Sequence, residues 1–154
     1  MTKELELKLV EKYPKILKEY GGDKKKTCMH WGMECNDGWY ELLDETMHKI
    51  QYMCDITHVQ LVAEQIKEKF GTLRFYYRVE TYTDTINRIF SAIIQDAEKQ
   101  SAHICENTGK AGYKCQSTQG YIKILSKEEA DKVDYAPTNP DVAKYWDSLN
   151  EKQS

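Results

Sequence analysis

Apolar positions recur at helical spacing in several segments of the chain. One stripe begins at Trp39 and runs through residues 38–53, and a broader stripe through residues 84–100 indicates a helix that packs on a sheet. Asp37 is expected to cap the first of these helices, because its carboxylate can accept hydrogen bonds from free backbone amides there. Trp39 is therefore expected in the core. Weaker patterns predict helices at 3–13 and 127–133, a short helical turn that holds Ile16, Leu17 and Tyr20, and a last helix from Pro140.

Two of these helices begin with specific signals. Ser126-Lys-Glu-Glu129 has the form of a capping box, in which the Ser oxygen accepts a backbone amide and the Glu side chain reaches back. Asn139-Pro140 combines an N-cap residue with a proline in the first helical position. These signals predict where the last two helices start.

The middle of the chain alternates with the period of a strand. Residues 58–70 fit either a helix or a strand, since short apolar patterns do not separate the two. Residues 73–79 are clearer, because Arg74, Tyr76 and Arg78 alternate with apolar residues. We therefore favour a hairpin of two antiparallel strands. Residues 113–125 are expected to add one or two short strands.

Together these elements predict an α+β fold in a single domain. The expected arrangement is a small antiparallel β-sheet with helices packed on one face. The parts are a sheet centred on residues 59–79 and 113–125, helices 38–53 and 84–100 against one face, an N-terminal helical segment at 1–22 and a C-terminal helical tail at 134–154.

Composition and charge narrow the function classes. The chain has 154 residues, 40% of them hydrophobic, and a net charge of −3, which is typical of a globular domain. No apolar run approaches the roughly 20 residues of a membrane span, and no segment has the basic excess typical of duplex nucleic-acid binding. The first residues lack the apolar core of a signal peptide. We expect a cytoplasmic protein that binds neither membranes nor duplex nucleic acid.

Cysteine spacing argues against a zinc site. None of the five cysteines forms a pair separated by two residues, and the segment Cys105-Glu-Asn-Thr108-Gly has Thr where a zinc knuckle has its second ligand. A Thr hydroxyl does not replace a thiolate on zinc. The sequence therefore predicts no metal and no cofactor.

Three segments carry a resemblance. They are Gly32-Met-Glu-Cys-Asn-Asp-Gly-Trp-Tyr-Glu-Leu-Leu-Asp, Val62-Ala-Glu-Gln-Ile-Lys-Glu-Lys-Phe-Gly-Thr-Leu-Arg-Phe-Tyr-Tyr, and Ser101-Ala-His-Ile-Cys-Glu-Asn-Thr-Gly. In this order they resemble an uncharacterised family of small phage and bacterial proteins, over roughly residues 13–125. Members of that family have a second Cys where this chain has Thr108. The resemblance implies a phage or prophage accessory protein, which would act in the host cytoplasm, and implies no reaction.

Two arrangements could support catalysis. Glu34 and Asp37 flank a turn and could act as a carboxylate pair of a small hydrolase, although Asp37 also fits a helix cap. Cys35 precedes a helix N-terminus, which can lower a thiol pKa, and His30 or His48 could serve as its base. The alternative is that Cys35 is a buried, unreactive thiol.

The expected function is binding, through rings and cations that surround two turns. Aromatic faces stack on bases, and Lys or Arg side chains hold phosphates. The candidate ligand-binding residues are Trp31, Tyr40, Lys69, Arg74, Tyr76 and Arg78.

We expect a non-enzymatic protein that binds a small anionic, nucleotide-like ligand, and the expected role is to sequester a nucleotide immune signal of the host. The second expectation is an inhibitor that binds a host protein, through the acidic C-terminal helix or the Trp-rich corner. The third is an enzyme. A homo-oligomer is compatible with any of them.

Overall fold

The computed structural model describes residues 1–81 and 83–151, and it confirms the α+β class. Within those residues there are five α-helices and six strands. The helices are α1 (Lys3–Lys12), α2 (Tyr40–Thr57), α3 (Asp84–Ser101), α4 (Lys127–Lys132) and α5 (Pro140–Glu151). The strands are β1 (Met33–Glu34), β2 (Leu61–Lys69), β3 (Thr72–Val79), β4 (Tyr113–Ser117), β5 (Ile122–Leu125) and β6 (Tyr135–Pro137). Short 3-10 helices occupy Cys28–Trp31 and Asp37–Trp39.

The first sheet has the order β1-β2-β3. The favoured hairpin is confirmed, because β2 and β3 pair antiparallel with Lys67 opposite Arg74 and Lys69 opposite Thr72. Strand β1 adds on the other side of β2 and runs parallel to it, with Met33 opposite Ile66. The ambiguous segment 58–70 is therefore mostly strand.

The expectation of one sheet is wrong, because β4 and β5 belong to a second sheet of order β5-β4-β6. The physical reason lies at the free edge of β3. The backbone amide of Leu73 donates to Ser101 Oγ at 2.9 Å, and that of Phe75 donates to Glu98 Oε1 at 3.2 Å. Side chains of α3 thus occupy the edge donors that a further strand would need. The two sheets meet instead where the hairpin turn at Gly71 packs against Ile122.

Two apolar clusters form the core. The larger one lies on one face of the first sheet, under α2 and α3, as the sequence predicts, and α1 also contributes to it. Trp39 belongs to this cluster and is 0% exposed, which confirms its expected core position. The smaller cluster belongs to the second sheet and contains Cys105, Cys115, Leu125, Ala130 and Trp146. The other face of the hairpin is left outside this core.

Residues 14–21 form hydrogen-bonded turns, in agreement with the predicted helical turn, and the amide of Leu17 donates to the Tyr13 carbonyl at 3.0 Å. Two other local predictions need correction. Asp37 does not cap α2, because it begins a 3-10 helix and its carboxylate accepts the backbone amide of Thr2 at 2.6 Å. Ser126 does accept the amide of Glu129, but the Glu129 carboxylate is bound by Asn107 and Lys132 instead of reaching back.

Candidate functional site

The outer face of the hairpin, opposite the core, carries a group of cations and a ring. Strand alternation places Arg74 and Tyr76 of β3 on this face, and the strand register places Lys67 and Lys69 of β2 beside them. We call Lys67, Lys69, Arg74 and Tyr76 the cationic face. The sequence predicted three of these four residues as ligand-binding, and the structure brings them together.

The cations of this face are not held in ion pairs, although Glu34 of β1, which accepts a hydrogen bond from Gln65, lies opposite Lys67 in the strand register. In the described part of the chain, none of Lys67, Lys69 and Arg74 forms an ion pair with an acidic side chain. The Arg74 guanidinium donates to Thr72 Oγ1 at 2.7 Å and to the Leu73 carbonyl at 2.8 Å, so it is held along its strand with donors to spare. Free cations on an exposed surface favour an anionic ligand.

Both lysines lie near an aromatic ring. Lys67 Nζ is 5.8 Å from the centroid of the Tyr76 ring, and Lys69 Nζ is 5.5 Å from the centroid of the Phe70 ring. Tyr76 is 43% exposed and Phe70 is 71% exposed, so both rings keep a surface available for contact. A ring beside a cation suits a ligand that has both a planar group and a negative charge.

Phe70 holds an unusual backbone conformation. It is the first of two residues in the hairpin turn, with φ of 54°, and Gly71 follows with φ of 83°. A turn with two positive φ angles normally begins with Asn, Asp or Gly, because a bulky side chain is strained there. Strain of this kind persists mostly at functional sites. Sequence reasoning missed Phe70, although Lys-Phe-Gly-Thr between two alternating strands was a usable signal.

An apolar cleft opens beside Phe70, between the two sheets. Its volume is about 540 Å³, within the range of small-molecule sites. Phe70 and Thr72 line one side, and His103, Tyr113 and Val142 line the other parts. Thr72 also binds Arg74, so the cleft begins where the cationic face ends.

Arg78 lies at the opposite end of the face and is paired. Its guanidinium contacts Glu19 at 2.6 Å and Glu64 at 3.5 Å, and the hydrogen bond that it donates to Glu19 is the main cause of its raised pKa. At the same end of the hairpin, the backbone amide of Ala63 donates to the Ile16 carbonyl. These acidic side chains restrict the unpaired cations to the half of the outer hairpin face that lies nearer the turn.

The structure places the two other candidate residues apart from this face. Trp31 is 65% exposed in the 3-10 helix before β1, with its ring edge-on to His30 at 4.8 Å between centroids. Tyr40 begins α2, packs partly against the core and interacts electrostatically with Lys8 and Lys12 of α1. Tyr40 therefore lies on the core side of the sheet.

A second cleft, of about 590 Å³, lies at the far end of the hairpin. Lys15, Lys18, Cys54 and His58 are among its lining residues. Lys18 is engaged by Glu80, and Cys54 is buried, which raises the pKa of its thiol. This cleft therefore offers fewer free cations than the cationic face.

The candidate catalytic groups have structural surroundings. Burial raises the pKa of the Cys35 thiol to about 12, so the expected lowering by the helix N-terminus does not occur. The Asp37 carboxylate is engaged by the amide of Thr2, and Glu34 accepts a hydrogen bond from Gln65 at 3.3 Å. A buried thiol and an engaged carboxylate are poor starting points for catalysis.

The buried Cys105 thiol accepts several hydrogen bonds. Burial raises the pKa of Cys105, but hydrogen bonds from the Thr108 hydroxyl and from the amides of Ser126, Thr108 and Asn107 outweigh it and lower the pKa.

Among the described residues, no group of three or more His, Cys, Asp or Glu side chains is placed to hold a metal ion.

The comparisons with known proteins leave this site to be interpreted from its residues. The chain matches no protein-family model, no curated protein and no solved structure. Among the helices in the described ranges, none combines the length and apolar character needed to cross a membrane.

Proposed function

We propose that this chain is a non-enzymatic binding protein whose ligand is a nucleotide-like anion with a planar ring. The observation that carries the proposal is the cationic face, where Lys67, Lys69 and Arg74 form no ion pair with any acidic side chain of the described residues and lie beside the exposed rings of Tyr76 and Phe70. Phosphate groups would contact the cations, and a base would stack on a ring.

The surroundings of the other candidate groups support binding rather than catalysis. The alternatives of a thiol enzyme or a hydrolase required a reactive Cys35 or a free pair of Glu34 and Asp37. The raised pKa of Cys35 and the hydrogen bond to Asp37 favour structural roles for both.

The biological setting is proposed from the resemblance to phage proteins. A phage accessory protein that binds nucleotides would act in the host cytoplasm, where sequestering a nucleotide immune signal is the role we favour. Inhibition of a host protein is the alternative partner class. A cationic face with exposed rings favours the nucleotide over an apolar protein partner.

Calorimetry with nucleotides tests the proposal. The wild-type chain is titrated with mono-, di- and triphosphates of adenosine and with cyclic nucleotides, at concentrations of ~100 μM that detect weak binding. We expect heat with at least one of them, and loss of that heat in the double variant Lys69→Ala, Arg74→Ala. The matched control is Lys24→Ala, Lys25→Ala, which removes the same charge from an exposed turn. Absence of heat with every nucleotide in the wild type would refute the proposal.

A further inference from the structure

The order of rings and cations along the hairpin indicates the length of the ligand. We propose that the cationic face binds a short single strand of nucleic acid, at least two nucleotides long, in preference to a mononucleotide. The inference rests on the proposed function and specifies its ligand. It starts from the two cation–ring pairs, Lys67 with Tyr76 and Lys69 with Phe70.

The two rings are too far apart to hold one base. Tyr76 lies opposite Gln65, whereas Lys69 and Thr72 form the last pair before the turn that contains Phe70. Tyr76 is four positions after Thr72 along β3, which corresponds to about 13 Å. Phe70 lies beyond that pair. Each ring therefore serves a separate base.

The cations lie between the two rings. Lys67 and Arg74 are opposite each other. This pair lies two residues, or about 7 Å, along the strands from the pair Lys69 and Thr72. From the turn inward, the order is the Phe70 ring, Lys69, the Lys67 and Arg74 pair, and the Tyr76 ring. A single strand alternates bases and phosphates in the same way, so a strand whose bases stack on both rings would place the phosphates between those bases near these cations.

The two ends of the face define how far a strand would extend. At one end, Phe70 is exposed in a strained turn and borders the apolar cleft of about 540 Å³, so a base on this ring has open space beside it. At the other end, Glu19 and Glu64 neutralise Arg78, and their charge repels a further phosphate. The contacts therefore cover a short segment.

The chemistry of the face favours an unpaired strand over other polyanions. In a duplex the faces of the bases are stacked on each other and cannot reach Phe70 or Tyr76. An acidic peptide has the charge but lacks a repeating planar ring. Stacking on exposed aromatic side chains together with free cations is the general mode of single-strand recognition without strong sequence preference.

Fluorescence anisotropy measures this preference. The ligands are labelled oligothymidylates of about two, four and eight nucleotides, lengths that bracket the lower site sizes of known single-strand binding proteins. Unlabelled thymidine monophosphate and polyglutamate serve as competitors. We expect the tetranucleotide to bind roughly tenfold or more tightly than the monophosphate, since a second base adds a stacking contact. With three cations in contact, log affinity should fall against log salt with a slope of about −2.

Ring variants show whether both stacking positions are used. Phe70→Leu and Tyr76→Leu should each weaken tetranucleotide binding by roughly tenfold. Tyr52→Leu, at an exposed tyrosine on α2, should leave it unchanged. Circular dichroism verifies that each variant is folded.

The outcomes separate the two proposals. If the monophosphate binds as tightly as the tetranucleotide, the single-strand inference is wrong and the nucleotide proposal survives. If polyglutamate competes as well as the tetranucleotide, ring recognition is refuted and the inference falls with it. If neither thymidine ligand binds, and adenosine nucleotides give no heat either, both proposals are refuted.

Discussion

The carboxylate of Glu106 joins the two halves of the molecule through Asn36. Glu106 Oε1 accepts the backbone amide of Asn36 at 3.2 Å, and the amide of Gly38 donates to the Glu106 carbonyl at 2.8 Å. Within the described residues, Oε2 of the same carboxylate has no hydrogen-bond partner, and Lys123 Nζ lies 3.8 Å from it. Glu106 is 3% exposed, so this junction contains a nearly dry acidic group.

This arrangement predicts a pH-dependent contribution to stability. The pKa of Glu106 is raised, mainly because the carboxyl is buried. Lys123 lowers the pKa and Glu68 raises it by less, but burial outweighs the effect of Lys123. A carboxyl whose pKa is higher in the folded state stabilises the fold when protonated. Its contribution is therefore largest below the unfolded pKa and is lost as pH rises through the folded pKa.

The variant Glu106→Gln isolates this effect, because its amide oxygen can still accept from Asn36 but does not titrate. We expect the free energy of unfolding of the wild type, minus that of the variant, to decrease as pH rises from about 4, near the ordinary Glu pKa, toward neutral. Urea denaturation across that range measures it. A difference that is constant, or that increases with pH, would contradict the raised pKa.

Trp39 is predicted to be essential for the fold. It is fully buried, and its indole Nε1 donates to the Ile104 carbonyl at 3.0 Å. Trp39→Ala should lower the free energy of unfolding by about 3–5 kcal/mol. Trp39→Phe keeps most of the volume but leaves that carbonyl without its donor, which costs about 1–3 kcal/mol. A stable Trp39→Ala protein that has lost only ligand binding would show that Trp39 belongs to the site.

Phe70 is predicted to reduce stability in exchange for binding. Asn adopts positive φ at the first position of this turn more readily than Phe does. Phe70→Asn should therefore raise the free energy of unfolding by about 1 kcal/mol and weaken tetranucleotide binding. Chemical denaturation and anisotropy on the same preparation measure both effects. A destabilised variant would show that the Phe70 ring is needed for packing and would remove the argument from strain.

Thiol accessibility tests the structural interpretation of Cys35. Of the five free cysteines, Cys28 is exposed and the other four are buried. A thiol reagent that absorbs on reaction should titrate one thiol per chain quickly in the native protein, and all five after denaturation. The variant Cys28→Ser should abolish the fast phase. A fast phase that persists and disappears only with Cys35→Ser would restore the thiol-enzyme alternative.

Local patterns in the sequence predicted much of the fold and part of the site. The alternation around Arg74 and Tyr76 depends only on the two-residue period of a strand, so the outer face of β3 could be identified before the structure. The long apolar stripe of residues 84–100 likewise predicted α3 to within one residue. Both features are determined within one element.

Features that depend on distant residues could not be predicted. The separation into two sheets follows from Ser101 and Glu98 covering the edge of β3, which the local pattern of neither element reveals. Arg78 is neutralised by Glu19, 59 positions earlier in the chain. Tyr40 shares a sequence block with Trp31, but the helix that it begins turns it to the core side of the sheet.

Amide chemical-shift mapping by NMR tests the central claim most directly, because it locates the ligand on the chain. The labelled wild-type protein is titrated with the tetranucleotide. The account predicts that the largest shifts lie at Lys67–Lys69 of β2, at Phe70 in the turn and at Thr72–Tyr76 of β3, and that Lys69→Ala, Arg74→Ala abolishes them. Shifts concentrated instead around Lys15, Lys18 and His58, or the absence of any shift, would contradict it.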